Sequence, residues 1–308
     1  MRASARVGGF LGRPVLAAVL GLGLLGLAPQ AHAQSTVAPE AEVCKNCHED
    51  YVKAYFGTKH GTTADGRTPT CTTCHGAGAL EHAKQGGGRG VGGVMGFNDP
   101  KVAADQKTQV CLSCHQGGKR THWQMSMHAA RDVACSSCHQ VHAAHDRARD
   151  KQTQFEVCFD CHKEQRAQFN RPSRHPIREG KVACSDCHNP HGGAGEKMMV
   201  RDNVNDTCYS CHMEKRGPFV RTHAPVQENC AICHNPHGTT NDNLLKVRSP
   251  FLCQQCHEPT SHRGSMGNPA ATTGTSAGLI ARGCANCHTN IHGTNNIRNN
   301  AAERSLRQ

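Results

Sequence analysis

The sequence predicts an elongated, mostly irregular chain with short helices, little or no strand, and an interior packed with bound groups instead of its own side chains. Three observations predict it. Aromatic residues make up 4% of the 308 positions, and beyond position 33 there are 7 Leu, 5 Ile, 16 Val and 7 Phe in 275 residues. That share is about 13%, where roughly 20% marks the lower edge for a chain that builds its own core. The sequence also holds 20 Cys and 23 His. Finally, both residue types recur at fixed spacings. Either the polypeptide is unfolded, or something attached to it supplies the missing apolar mass.

The N-terminus reads as a leader. Arg2, Arg6 and Arg13 precede an apolar run from Pro14 to Leu27, and Ala31-His32-Ala33 follows. A basic region, about 14 apolar residues and a small-x-small site make a secretory signal over residues 1–33, too short for a spanning helix. Residues 34–308 are then an exported domain, expected in the periplasm, and no later stretch is apolar enough for a direct lipid span. Residues 34–42 and 293–308 carry no motif and read as tails.

Every cysteine belongs to a C-x-x-C pair followed directly by histidine. The motifs are Cys44, Cys47, His48; Cys71, Cys74, His75; Cys111, Cys114, His115; Cys135, Cys138, His139; and Cys158, Cys161, His162. They continue with Cys184, Cys187, His188; Cys208, Cys211, His212; Cys230, Cys233, His234; Cys253, Cys256, His257; and Cys284, Cys287, His288. An even cysteine count in an exported chain first suggests disulfides. At this histidine content, however, a histidine after all ten pairs has odds of about one in 10¹¹ by chance. Two thiols at this spacing add to the two vinyl groups of one haem, and the adjacent histidine becomes its proximal iron ligand. The chain therefore reads as a multihaem cytochrome c with ten covalently bound haem c groups. Zinc sites combine two such pairs and need no histidine after each one.

The first cysteines of alternate motifs recur at similar distances, as Cys111, Cys158, Cys208 and Cys253 show. This is a repeat of two-haem modules, 44–82, 111–142, 158–191, 208–237 and 253–292. Each carries one histidine between its motifs and one after the second. The middle set is His60, His128, His175, His223 and His262; the trailing set is His82, His142, His191, His237 and His292. These are the expected distal iron ligands. His128 is preferred to His122 because it repeats the register of His175, and His142 to His145 because it shares its offset with His191 and His237. A trailing histidine three residues after a proximal one lies on the same helical face, so it should ligate a neighbouring haem and staple modules together. The methionines do not follow the repeat and are read as filling gaps against the porphyrins.

With these motifs in hand, the chain after residue 33 resembles the periplasmic decahaem cytochromes of the MtrA/DmsE/PioA family. Cys74-His75-Gly76-Ala77-Gly78, ending in His82, is similar to the family's C-H-G-P-G-x-x-H element, with Ala in place of Pro and one extra residue before the histidine. Trp123 through Ser126 to His128 is similar to its W-x-x-S-x-H segment. The resemblance implies a monomeric multihaem wire seated in an outer-membrane β-barrel porin. Its electrons would pass between a periplasmic or inner-membrane redox partner and an extracellular cytochrome, reductase or other acceptor.

Charge excludes little by itself. Without the leader there are 32 Lys+Arg and 24 Asp+Glu. Ten haems would add about 20 propionates, which offsets the basic balance and removes the argument for nucleic acid. The run Lys163, Arg166, Arg171, Arg174, Arg178 is read as propionate partners or a solvated face. Helix is expected around 41–55 and 155–170, and Gly86–Gly96 as a flexible connection. Two other functions compete with the conduit: a multihaem reductase, which needs an iron with an open coordination site, and a freely diffusing periplasmic carrier. With a distal histidine for every iron, no enzyme activity is expected.

Overall fold

The computed structural model describes residues 39–62, 66–257, 283–296 and 306. The leader, His262 and Met266 lie outside them. All the described residues belong to one contact unit, Val37–Gln308. Its helices are α1 (Pro39–Phe56), α2 (Cys71–His75), α3 (Gly78–Lys84), α4 (Ala104–Leu112), α5 (Gln154–Phe159), α6 (Lys163–Gln168), α7 (Cys184–Cys187), α8 (Val204–Tyr209) and α9 (Ala224–Glu228), with single 3₁₀ turns between them. Pairing between extended segments is limited, among the described residues, to isolated bridges such as His188 with Met199 and His234 with Leu245. The helix expected over 155–170 is two helices, α5 and α6, broken at His162, whose φ/ψ of −83° and 68° leave the helical region.

Motif spacing dictates the local structure. C-x-x-C-H spans one α-helical turn, and the histidine N–H closes that turn on the first cysteine's carbonyl: His115 on Cys111, His139 on Cys135, His162 on Cys158 and His188 on Cys184, each at 2.9 Å. In the second to fourth modules the motifs then alternate, whereas in the fifth both Cys253 and Cys284 open 3₁₀ turns. Cys111, Cys158 and Cys208 sit near the C-terminal ends of α4, α5 and α8, while Cys135 and Cys230 open short 3₁₀ turns of their own. In three of the second motifs the residue before the second cysteine reaches back to the N–H that precedes the turn. Thr73 Oγ1 accepts from Thr70 at 3.0 Å, Ser137 Oγ from Ala134 at 3.2 Å and Asp186 Oδ2 from Ala183 at 2.9 Å. This is half of a capping box, and it satisfies a donor that the short turn would otherwise orphan.

The chain's own core is small. Among the described residues the buried apolar side chains are Val52, Trp123, Phe159, Phe169, Ile177 and four alanines, and of these Phe159, Phe169 and Ile177 form a cluster, with Phe155 and Val182 packed against them. In place of a core there is a continuous cavity of about 4020 Å³, lined by residues of every motif from Cys111 to His288. A pocket for one small ligand occupies about 300–1,000 Å³, so this space suits several large ones. Met127, Met198 and Met199 line it, and Met125, Met127 and Met213 are exposed in the polypeptide itself. Among the described residues no helix is long and apolar enough to cross a membrane.

Candidate haem centres

All 20 cysteines are free, and the motifs follow one another in space. Within each module the thiols of the two first cysteines interact: Cys44 with Cys71, Cys111 with Cys135, Cys158 with Cys184, Cys208 with Cys230, and Cys253 with Cys284. Between modules the second cysteines approach: Cys74 and Cys114, Cys138 and Cys161, Cys187 and Cys211, Cys233 and Cys256. One thiol's S–H stabilises the other's thiolate, which draws Cys135 down to about 6 and Cys230 to about 7. The ten attachment points thus follow one another in sequence order, neighbouring alternately through first cysteines, whose thiols interact, and second cysteines, which lie within electrostatic range of each other.

The histidines meet two at a time. Two imidazoles on opposite sides of one metal, each with a bond of about 2.0 Å and a ring radius of about 1.1 Å, hold their centroids about 6.2 Å apart. In the first module His48 lies 6.3 Å from His82. His75 lies 6.1 Å from His142, and His115 lies 5.8 Å from His60, with their Nε2 atoms 3.5 Å apart. His139 and His191 are 6.0 Å apart, His162 and His128 6.1 Å, His188 and His237 6.2 Å, and His212 and His175 6.2 Å. His234 faces His292 at 6.1 Å and His257 faces His223 at 5.9 Å. Beyond the first module one rule covers these pairs. A first-motif histidine takes the middle histidine of the module before it, and a second-motif histidine takes the trailing histidine of the module after it. Among the described residues, no group of three or more His, Cys, Asp or Glu could hold a metal ion.

The rings are held ready to bind. Nδ1 of His75 donates to Met95 O at 2.8 Å, that of His82 to Val91 O at 3.2 Å, and that of His142 to Tyr51 O at 3.1 Å. His128 and His175 donate to Pro190 O and Pro236 O, each at 2.8 Å. His188 and His234 donate to Lys197 O at 3.1 Å and Asn243 O at 2.8 Å. A backbone acceptor at Nδ1 fixes the tautomer that leaves the Nε2 lone pair for a metal. Burial also pushes His191 down to about 4 and lowers His75, His115, His223, His237 and His292, so these rings are neutral at pH 7. The donor set therefore fits haem: paired thiols, an adjacent imidazole, and a second imidazole across a gap wide enough for an iron.

The two histidines set aside lie apart from these pairs. His145 Nε2 is 3.0 Å from Asp150 Oδ2, and His122 is exposed at the start of the turn Trp123–Met125.

Residues 71–154 match the family described as cytochrome c-type protein NrfB-like, and residues 175–217 and 223–262 match the doubled CXXCH motif. Over 274 residues the chain is 41% identical to "Multiheme cytochrome MtrA" of Shewanella baltica (strain OS185), covering 85% of this chain and 81% of that protein. The chain belongs to the MtrA family. It is a multihaem c-type cytochrome, and its chemistry is haem binding and electron transfer.

Several residues that build these MtrA-family centres went unread in the sequence. The N-P-H-G repeats Asn189–Gly192 and Asn235–Gly238 were its available signal. Asn189 Oδ1 accepts from His191 N at 3.3 Å and Asn235 Oδ1 from His237 N at 3.1 Å, which sets each trailing histidine's direction. The glycines lie on the seam with the preceding module. Gly192 and Gly238 have φ of 99° and 140°, and a Cβ there would stand 2.5 Å from His122 O and 2.2 Å from Gln168 O. The loops that follow place Lys197 and Met198, and likewise Asn243 and Leu244, in the left-handed region. That strained geometry presents the Lys197 and Asn243 carbonyls to the proximal rings. The Gly86–Gly96 stretch is a clasp rather than a slack connection. It returns over α3 to give His75 and His82 their acceptors, and Gly92, at φ 70°, comes so close that a Cβ would stand 2.3 Å from His82 N. Within the basic run, Arg174 pairs with Glu179 at 2.8 Å, and Arg171 donates to Gly238 O at 3.3 Å across the seam.

Proposed function

We propose that the chain carries ten haems in single file and relays electrons across the outer membrane inside a β-barrel porin, serving the reduction of external metals or other acceptors, or electron uptake from external donors. The nine facing histidine pairs, with centroids 5.8–6.3 Å apart and, beyond His48 with His82, linking each module to the next, are the observation that carries this reading. Bound haem supplies one-electron exchange at the iron. The chain's own residues attach, ligate and orient: the 20 cysteines anchor, the motif histidines serve as proximal ligands, and the facing histidines serve as distal ones. His262, the remaining candidate, is assigned to His288. A haem bound at each of the nine described pairs would have a histidine on both sides and no coordination site open to a substrate, which speaks against a reductase.

Residues 1–33 act in this reading as the leader that takes the chain to the periplasm. If successive haems are about 10 Å apart, ten in file extend roughly 90 Å, whereas a bilayer with its headgroups is about 40–45 Å thick. A charged surface cannot face lipid, so the file needs a sheath, and a large barrel with a polar lumen provides one. The terminal haems of the first and fifth modules are the exchange ports. One port meets a periplasmic or inner-membrane redox partner, the other an extracellular cytochrome, reductase or acceptor. The test is reconstitution with the barrel in liposomes holding a reducible dye, with a membrane-impermeant reductant outside. Reduction faster than through the barrel alone is expected. Equal rates would leave a freely diffusing periplasmic carrier as the better account.

A further inference from the structure

Eight candidate axial histidines have resolved Nδ1 hydrogen bonds, and seven of them donate to backbone carbonyls. The eighth, His139, donates to a carboxylate: its Nδ1 stands 2.7 Å from Asp146 Oδ2. The distance is that of a charge-assisted hydrogen bond. Both side chains are partly withdrawn from water, at 33% and 20% exposure, so solvent screens the contact incompletely. Among the described residues no lysine or arginine forms an ion pair with Asp146 to offset its charge. Its other oxygen, Oδ1, accepts from Ala148 N at 3.1 Å, which locks the carboxylate's orientation toward the ring. The nearest analogue differs: His212 Nδ1 is 3.8 Å from Glu214 Oε1, too long for a hydrogen bond, and both side chains are more than half exposed.

We infer that Asp146 is a positioning residue that lowers the reduction potential of the fourth haem, the one attached through Cys135 and Cys138. A carboxylate on Nδ1 draws the ring proton toward itself and gives the imidazole imidazolate character. The ring becomes a stronger donor at Nε2, and a stronger donor favours ferric over ferrous iron. A carbonyl acceptor does this far less, because it carries no net charge. Cys111 beside Cys135 and Cys138 beside Cys161 place this haem between the third and the fifth. By lowering this one potential, Asp146 makes the fourth haem harder to reduce than the same site without the carboxylate, and so shapes the energy profile along the file.

The inference rests on His139 and His191 being the axial pair of that haem, and the experiment separates the two claims. Potentiometric titration of the complete holoprotein, followed by haem absorbance, is compared for the native chain, Asp146→Asn and Asp146→Glu, with His191→Ala as the ligand control. Asp146→Asn keeps an acceptor and removes the charge. It is expected to keep every haem attached and low-spin while one-tenth of the absorbance change moves to higher potential. A tenfold shift in that haem's ferric-to-ferrous ratio is about 59 mV for a one-electron couple. Asp146→Glu is expected to restore most of the shift. An unchanged titration for Asp146→Asn, or a change spread over many haems with new high-spin signal, overturns the inference. If His191→Ala yields no high-spin haem, the ligand assignment fails instead.

Discussion

His142 lies 6.1 Å from His75, the proximal histidine of the module before its own, although His139 is only three positions away in sequence. On the turn that carries Cys135 and His139, a residue three positions on cannot reach the opposite side of the same macrocycle. The main chain of α1 fixes the ring instead, through Tyr51 O. Replacing His142 with Ala is therefore expected to convert one haem of ten to high spin, and that haem should be the one on Cys71 and Cys74. Replacing His145 or His122 should leave the ferric spectrum low-spin. Electron paramagnetic resonance of the three variants checks it, and a high-spin signal from His145→Ala with none from His142→Ala would reverse the register of the second module.

The module seam should be as sensitive as the ligands. Gly238 sits at φ 140° with Gln168 O where a Cβ would go, 2.2 Å away. Gly238→Ala is expected to cost about 1–3 kcal/mol in backbone strain and a similar amount in overpacking. Because His237 is the next residue, the displacement should weaken its approach to His188 and raise a fractional high-spin signal. Gly66, with no atom within 4 Å of where a Cβ would stand, is the control, and Gly66→Ala should be silent in thermal melts. Equal effects at both positions would mean that the seam is not tightly packed.

Much of this was legible in the sequence, and the limits have physical causes. The C-x-x-C-H spacing is one helical turn, so attachment and proximal ligation could be read locally, and the scarcity of large apolar residues foretold a core that the chain does not make. The partner of each trailing histidine was not legible, because a pair such as His234 and His292 depends on how one module lies against the next. The Gly86–Gly96 stretch misled because glycine enters a sequence both for slack and for close approach, and only the contact of Gly92 with His82 distinguishes them. The fifth module departs from the repeat. Its trailing histidine, His292, comes four residues after His288 instead of three. His223 Nδ1, whose counterparts in His128 and His175 donate to Pro190 O and Pro236 O, is left buried without a partner.

Among the described residues Phe159, Phe169 and Ile177 form an apolar cluster, and Phe169 also packs 5.6 Å from His237. Phe169→Ala is expected to destabilise the holoprotein by about 3–5 kcal/mol, as large-to-small changes in a packed core do. Denaturant melts followed by haem absorbance should show the loss, with the visible spectrum of the folded variant still low-spin. A change below about 1 kcal/mol would place the stability of the third module in haem contacts alone.

That small cluster also sets what happens without cofactor. The apolar side chains buried by the polypeptide include four alanines and few large residues, and this burial cannot offset an ordering cost of about 1–2 kcal/mol per residue. The large cavity between the motifs is where the missing contacts belong. Apoprotein made by replacing the motif cysteines with serine is expected to be largely unfolded by circular dichroism, because cofactor binding and folding are then one process. Native protein should carry ten haems by intact mass and no thiol reactive toward alkylating agents. Eight or fewer haems in well-matured protein, or a cooperative melt of the apoprotein, would mean that the chain holds its own fold and that the haems are guests in it.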